Sequence, residues 1–306
     1  MEYIQNDQFR IETPAVVTIG KFDGRHRGHQ KLLKAMLDHK EKQGLAVAVF
    51  TFSRAPGAVV DRKPQTVITT NEERRYIMEQ AGVDYLVEYP FTEEVSHMPP
   101  EEFVEKILMG KMNARAIVVG TDCGFGYRRA GNVELLEKLA PQLGFELTVI
   151  EKAQEDHRDI SSSYIREELE KGNMEKANEL LGSPYSIHGK VVHGNHIGSS
   201  ILGFPTANLM PPPEKHLPRF GVYVSRVIAD GREYRGITNI GRKPTVEGTY
   251  PVGAETFLVD FDGDLYGKTI EVQLFHFLRP EQKFDSLDEL KAQIEKDKKD
   301  GLKYGI

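Results

Sequence analysis

An α/β domain on a parallel sheet, followed by a small antiparallel β-barrel that ends in a single helix, is the fold this sequence predicts. Three observations carry that expectation. From Ala15 to Leu181 short apolar runs alternate with helix-length amphipathic stretches, the pattern of parallel strands joined by helical crossovers. Gly182-Ser183-Pro184 then interrupts the helical texture with a triplet that stops a helix and restarts the chain extended. Beyond it, short alternating or β-branched runs are separated by Gly, Pro, Asn and Asp. Two domains, 1–182 and 183–306, are expected.

Taken in order, the strands of the first half are Ala15 to Ile19, Leu45 to Phe52, Tyr85 to Glu88, Ala116 to Val119 and Glu146 to Ile150. Helices are predicted over Gln30 to Gln43, Asn71 to Ala81, Glu101 to Met109 and Val133 to Leu143, where apolar residues recur at helical spacing. Two more, Ser162 to Lys171 and Met174 to Leu181, close this half. In the second half the strands are Tyr185 to His193, Gly221 to Ile228, Glu233 to Ile240, Glu255 to Phe261 and Thr269 to Phe277. A last helix, Ser286 to Lys298, opens on Ser286 with Glu289 three residues on, the spacing of a capping box.

The 306 residues suffice for two cores without staples, and 39% hydrophobic with 28% charged residues is a globular mixture. Forty Lys and Arg against 46 Asp and Glu leave a formal net charge of -6, so no excess of positive charge exists to hold a polyphosphate backbone, and nucleic acid is not expected as a partner. The alternating run Glu295-Lys296-Asp297-Lys298-Lys299-Asp300 reads as a solvated helix face. Cys123 is the sole cysteine, which excludes an intramolecular disulfide and a cysteine-built zinc site and suits a reducing compartment. No basic n-region precedes an apolar stretch at the N-terminus, and no run of about 18 apolar residues occurs, so a cytoplasmic chain without membrane partners is expected.

The first chemical constellation is Gly20-Lys21-Phe22-Asp23-Gly24-Arg25-His26-Arg27-Gly28-His29-Gln30, a glycine-rich turn between a strand and a helix. Such turns face strand C-termini and a helix N-terminus, where amide dipoles favour anions, so phosphate is the implied ligand. His26 and His29 can both aim at one polyphosphate, and Gly28 lets a nucleotide approach the backbone. Alone, the pair is equally a pair of surface histidines or part of a metal site that needs a third ligand. A second segment, Ile160-Ser161-Ser162-Ser163-Tyr164-Ile165-Arg166, offers hydroxyl caps and an arginine to the same phosphates.

Together, H-x-G-H and the later I-S-S-x-x-I-R resemble the nucleotidyltransferase superfamily, and the longer G-x-F-D-G-x-H-x-G-H-Q form resembles its FAD synthetase branch. The resemblance implies a Rossmann-like nucleotidyltransferase fold that adenylylates FMN to FAD by direct attack of the FMN phosphate on the ATP α-phosphorus. It gives His26 and His29 the transition-state charge, and Mg²⁺ a neutralising role. Gly20, Phe22, Asp23, Gly28, Ser161, Ser162, Ser163 and Arg166 are the implied nucleotide-binding residues. Asp122 joins them from Gly120-Thr121-Asp122-Cys123-Gly124-Phe125-Gly126, which resembles the family's G-x-D-F-x-F-G segment. The family usually has Asn at Lys21, an aromatic residue at Cys123 and Thr at Ser163, and its F-x-P-x-P stretch survives only as Phe52-Ser53-Arg54-Ala55-Pro56. Lys21 can replace an amide contact with a charge-assisted one.

The second constellation carries glycines at Gly189, Gly194 and Gly198 and runs into Gly203-Phe204-Pro205-Thr206-Ala207-Asn208. Pro205 fixes the backbone before Thr206 and Asn208, which on alternate positions of an extended segment point the same way and offer neutral oxygens to a hard cation. As bare composition this is equally a Gly-Pro turn with ordinary polar caps. The contiguous G-F-P-T-A-N string, however, resembles the signature of riboflavin kinases, as do Gly236 to Thr245, Glu255 to Phe261 and Asp264 to Lys268. The resemblance implies ATP-dependent phosphorylation of riboflavin to FMN, with Glu255 accepting the hydroxyl proton and Thr206 and Asn208 holding Mg²⁺. It places Gly189, Gly194, Gly198, Gly203 and Pro205 around ATP. Arg279 comes from Leu278 to Asp285, which resembles the family's flap, and it can reach phosphate, with Phe284 near the flavin ring or packed as a helix staple.

Gly263-Asp264-Leu265-Tyr266-Gly267-Lys268-Thr269 imitates a P-loop, but three residues separate its glycines and a strand follows, so a hairpin turn at Tyr266-Gly267 is expected instead. The module order is that of the bacterial two-module enzymes that make both flavin cofactors, with ATP, riboflavin and FMN as small-molecule substrates. Two alternatives stay open here: a riboflavin kinase whose first half has lost adenylylation, and a flavin-binding regulator. Self-association is neither demanded nor excluded.

Overall fold

The computed structural model describes residues 1–53, 66–193, 206–242 and 252–305, which divide into two compact units, Met1–Ser161 and Ser162–Ile306. In the first, strands β1 (Glu2–Ile4), β2 (Ala15–Ile19), β3 (Ala46–Phe52), β4 (Tyr85–Tyr89), β5 (Ala114–Gly120) and β6 (Glu146–Ile150) form one parallel sheet in the order β1-β4-β3-β2-β5-β6. Side chains alternate between its faces, and both faces are buried. Val16, Val47, Val49, Ala116 and Val118 meet Leu33 and Met36 of helix α1 (Arg27–Gln43) and Met78 of α2 (Asn71–Gln80). Val17, Ala48, Phe50, Ile117 and Val119 meet Phe103, Ile107 and Leu108 together with Leu136 and Leu139 of α3 (Val133–Leu143). Apolar residues at successive strand positions therefore reflect two cores.

Every helix and strand expected for this half forms, with two differences. The segment expected as an α-helix over Glu101 to Met109 is a single α-turn, Pro100–Glu102, that widens into the π-helix Phe103–Lys111. The wider coil is closed by Met112 N–H donating to Ile107 O at 2.9 Å, and it keeps Phe103, Val104, Ile107 and Leu108 all buried. The edge strand β1 has only three residues, too short a run for periodicity to show.

After the small hairpin β7 (Gln154–Glu155) and β8 (Arg158–Asp159), the second unit begins with helices α4 (Ser162–Lys171) and α5 (Met174–Leu181). Strands β9 (Tyr185–Lys190), β10 (Thr206–Leu209), β11 (Gly221–Ala229), β12 (Arg232–Arg242), β13 (Val252–Leu258) and β14 (Thr269–Arg279) form an antiparallel sheet in the order β10-β13-β12-β11-β14-β9. The sheet curls until its edges meet: Val192, just past β9, donates its amide to Asn208 O on β10 at 2.9 Å. This is the curled antiparallel sheet of the expected barrel, its two ends linked by a single bridge. Helices α4 and α5 pack into this unit, where the Asn178 amide donates to Leu274 O at 2.8 Å and its carbonyl accepts from Tyr185 N at 2.7 Å.

The last helix, α6 (Leu287–Gly301), is capped by Ser286, whose hydroxyl accepts from Glu289 N at 3.2 Å. The reciprocal half of the expected box differs: the Glu289 carboxylate accepts from Asp285 N rather than from Ser286 N. The reading of Glu295 to Asp300 as wholly solvated is also corrected. Asp297 is buried, because it takes three hydrogen bonds of 2.7–3.1 Å from the Arg279 guanidinium.

Candidate functional sites

In the first unit the chain leaves β2 for β3 on one side and returns to β5 on the other, so β2 and β5 flank the point where strand order reverses. Loops at the C-terminal ends of such strands open into a crevice. Here they are the loop 20–26 after β2 and the loop 121–126 after β5. Gly20 is required at the first loop's start, since a Cβ there would lie 2.9 Å from the Phe22 ring. Phe22 is fully buried at φ 49° and forms the floor under His29, with ring centroids 4.7 Å apart. Asp23 is buried and holds the loop, its Oδ1 accepting from Ile68 N at 2.7 Å and Thr69 N at 3.1 Å.

His26 is the N-cap residue of α1 and His29 lies in its first turn, which stacks the two imidazoles at 3.8 Å between centroids and 26° between planes. Gly28 allows the stack, because a Cβ there would sit 3.1 Å from the His26 ring. Burial lowers His26 to a pKa of about 4, against a weaker opposing pull from Asp122, and drives His29 well below its ordinary 6.5. Both rings are therefore neutral near pH 7. The Nδ1 atoms of both are buried without a hydrogen-bond partner among the described residues, so the pair keeps unused polar capacity. Asp122 is exposed on the second loop, 3.4 Å from Lys152 Nζ. Cys123 packs beside the core, and burial raises its thiol to about 11, which disfavours the thiolate.

Ser161 closes this unit, while Ser162, Ser163 and Arg166 stand on α4 in the second. Arg54, Ala55 and Pro56, from the flavin-side stretch, lie outside the described residues. Sequence reasoning missed a buried network behind the loop. Glu88 on β4 accepts from Arg74, from Arg75 at 3.2 Å and from Tyr3 Oη at 2.6 Å, and Arg74 reaches Asn71 at 2.9 Å. Its members come from β1, α2 and β4, so no local pattern announces it.

In the second unit, Thr206 and Asn208 on β10 point the same way, and β13 runs antiparallel beside them with Glu255 opposite Asn208. The Thr206 hydroxyl donates to Glu255 Oε1 at 2.8 Å, and the Asn208 amide lies 3.4 Å from Thr206 Oγ1. The three candidates thus converge. Beneath them runs a row of buried hydroxyls that sequence reasoning did not single out: Ser225 to Thr238 at 2.7 Å and Thr238 to Thr256 at 2.8 Å, across β11, β12 and β13. Gly189 sits on β9 opposite Ile270, while Gly194, Gly198, Gly203 and Pro205 lie outside the described residues, as do Lys243 to Thr245. Arg279 is engaged by Asp297, so a phosphate contact would require that pair to open. The P-loop look-alike is a turn, with Tyr266 N donating to Asp264 Oδ1 at 2.7 Å before β14 starts.

Comparison with known proteins divides the chain in the same sense. The family model described as FAD synthetase matches residues 8–164, and that described as riboflavin kinase matches residues 181–304. A Bacillus subtilis protein named bifunctional riboflavin kinase/FMN adenylyltransferase is 37% identical over 298 residues, 96% of this chain and 93% of its own. An Escherichia coli protein of the same name is 39% identical over 285 residues, 92% and 90% of the two chains. A crystal structure from Streptococcus pneumoniae, described as a macrolide-efflux protein, superposes with a TM-score of 0.87 at 30% identity and covers 99% of both chains. Among the described residues of this chain, no helix is long and apolar enough to cross a membrane.

Proposed function

We propose a division of labour among the residues of a chain that belongs to the bifunctional riboflavin kinase/FMN adenylyltransferase family. It is a transferase with an FAD synthetase domain and a riboflavin kinase domain, using ATP, riboflavin and FMN and yielding FMN and FAD. The catalytic modules are read as 1–182 and 183–306.

In the kinase module, Glu255 takes the proton from the ribityl hydroxyl as its oxygen bonds to the ATP γ-phosphorus and ADP leaves. The observation that carries this assignment is the 2.8 Å contact between Thr206 Oγ1 and Glu255 Oε1. Hydroxyl, carboxamide and carboxylate oxygens within one cluster are a hard donor set of the kind Mg²⁺ accepts, so Thr206 and Asn208 are read as its ligands. When bound, the ion neutralises phosphate charge. Thr206 also orients the Glu255 carboxylate, and buried Asn208 fixes Thr206 in turn.

In the adenylyltransferase module, an FMN phosphate oxygen bonds to the ATP α-phosphorus while the bond to the bridging oxygen breaks and pyrophosphate leaves with the electron pair. His26 and His29, neutral and stacked at the mouth of α1, donate hydrogen bonds to the non-bridging oxygens as charge builds there. The orphaned Nδ1 atoms support that role. Asp23 holds the loop, and Gly20 and Gly28 keep it open to the nucleotide. Asp122 and Ser161, of the same unit, complete the nucleotide contacts in this reading. The acidic balance and the lone cysteine fit a cytoplasmic enzyme working on small molecules.

The test is a flavin product assay: the full chain with riboflavin, ATP and Mg²⁺ should yield FMN and then FAD, resolved by chromatography. FMN without FAD would remove the adenylyltransferase assignment, and no FMN would remove the kinase assignment.

A further inference from the structure

Around the crevice of the first unit, nearly every cation is already engaged. Arg27 pairs with Glu155, Arg74 and Arg75 with Glu88, Arg129 reaches Asp122 O, and Lys152 bridges Asp122 and Asp159. Lys21 is exposed, where water screens its charge. Arg25 is different. It is half-buried between Gly24 and His26, and no carboxylate among the described residues offsets its charge. Its charge is near enough to His29 to weigh on that imidazole, and burial lowers its own pKa.

The backbone fixes Arg25 in this position. Its φ is 24°, in the region that residues other than glycine rarely occupy, and such strain persists where the surroundings over-determine it. Gln30 Nε2 donates to Arg25 O at 3.3 Å, Gly24 N donates to Thr69 Oγ1 at 3.0 Å, and Asp23 clamps the same neighbouring segment. A guanidinium carries five donors in a fixed fork and is costly to desolvate without a counter-charge. The adjoining imidazoles offer hydrogen bonds but no net charge at neutral pH, so the crevice holds a positioned cation whose charge no carboxylate among the described residues offsets.

We propose that Arg25 is a phosphate-binding residue of the adenylyl-transfer site, its guanidinium meeting the anionic oxygens of ATP beside His26 and His29. This rests on the adenylyltransferase reading above and extends it to a residue outside the H-x-G-H signature. A charge-assisted fork on phosphate serves binding of ATP, and Arg25 leaves the attacking FMN phosphate to other groups.

The full-length chain carries its own control, because FMN formation from riboflavin belongs to the other module. Arg25→Gln should raise the KM for ATP in FAD formation by roughly 10- to 100-fold, with the KM for FMN and the rate of FMN formation unchanged. Arg25→Lys should restore part of the loss. Arg25→Gly relieves the backbone strain while removing the charge, and should lose as much ATP affinity as Arg25→Gln; an arginine with only a structural role would instead leave the glycine variant's KM for ATP near that of the parent. ATP KM values within about twofold of the parent in both Arg25→Gln and Arg25→Gly would overturn the inference alone. A parent chain that forms FMN but no FAD would overturn the adenylyltransferase reading and this inference with it.

Discussion

Glu255 and His26 are the residues on which the two activities divide. Glu255→Ala removes the carboxylate to which Thr206 donates, and is expected to cut FMN formation by about 10²- to 10⁴-fold while FAD formation from supplied FMN continues. His26→Ala should do the reverse. Rates of both reactions on each purified variant check this, and a substitution that stopped both without unfolding the chain would contradict the division. The partly buried histidines also couple folding to pH. His26 binds its proton at about 4 when folded but near 6.5 when exposed, so the unfolded chain takes up more protons between those values. Stability should thus be full above about 6.5 and fall as pH drops toward 4, by about 1.4 kcal/mol per unit for this residue. Thermal midpoints of the parent and His26→Ala across that range check the sign, the variant showing the shallower fall. These two residues were legible because short contiguous strings carry them. Arg25, although inside one such string, was not, since only the folded loop shows which cations lack a carboxylate partner.

Elements were legible where one period dominates. The short apolar runs of β2, β3 and β5, set between helix-length amphipathic stretches, predict strands, and their positions fall within a residue or two of expectation. The π-helix was hidden because a 3.6-residue pattern and a slightly wider coil place Phe103, Ile107 and Leu108 on nearly the same face. Pairings between elements were hidden as well: Arg279 with Asp297 and Arg74 with Glu88 are partners only after the chain has turned back. The hydroxyl row Ser225, Thr238 and Thr256 belongs to this class, as each residue reads alone as an ordinary strand threonine or serine. Its position is specific, since Thr256 lies next to Glu255 and the row ties β11, β12 and β13 in register. Thr256→Val keeps the shape and removes one hydroxyl, leaving buried Thr238 with Ser225 alone. A loss of about 1–3 kcal/mol in denaturant unfolding of the second unit is expected, with the FAD-forming reaction untouched.

At the scale of the whole chain, the two-module order could be read from texture and signatures, but where the kinase module begins as a folding unit could not. Helical periodicity marks α4 and α5 as helices without saying which core they cover. In the structure they join the second unit: Ile165, Leu169, Met174, Ala177, Leu180 and Leu181 are buried, and Asn178 bonds both β9 and β14. Burial of each large aliphatic side chain contributes roughly 1.5–3 kcal/mol, while a domain's net stability is only about 5–15 kcal/mol. Removing both helices should therefore cost most of that margin. A fragment of residues 162–306 is expected to unfold cooperatively and to convert riboflavin to FMN, whereas 183–306 should show a much lower thermal midpoint or no transition. Equal midpoints for the two fragments would mean that α4 and α5 are dispensable to the barrel, and would set the folding boundary at Gly182 together with the catalytic one.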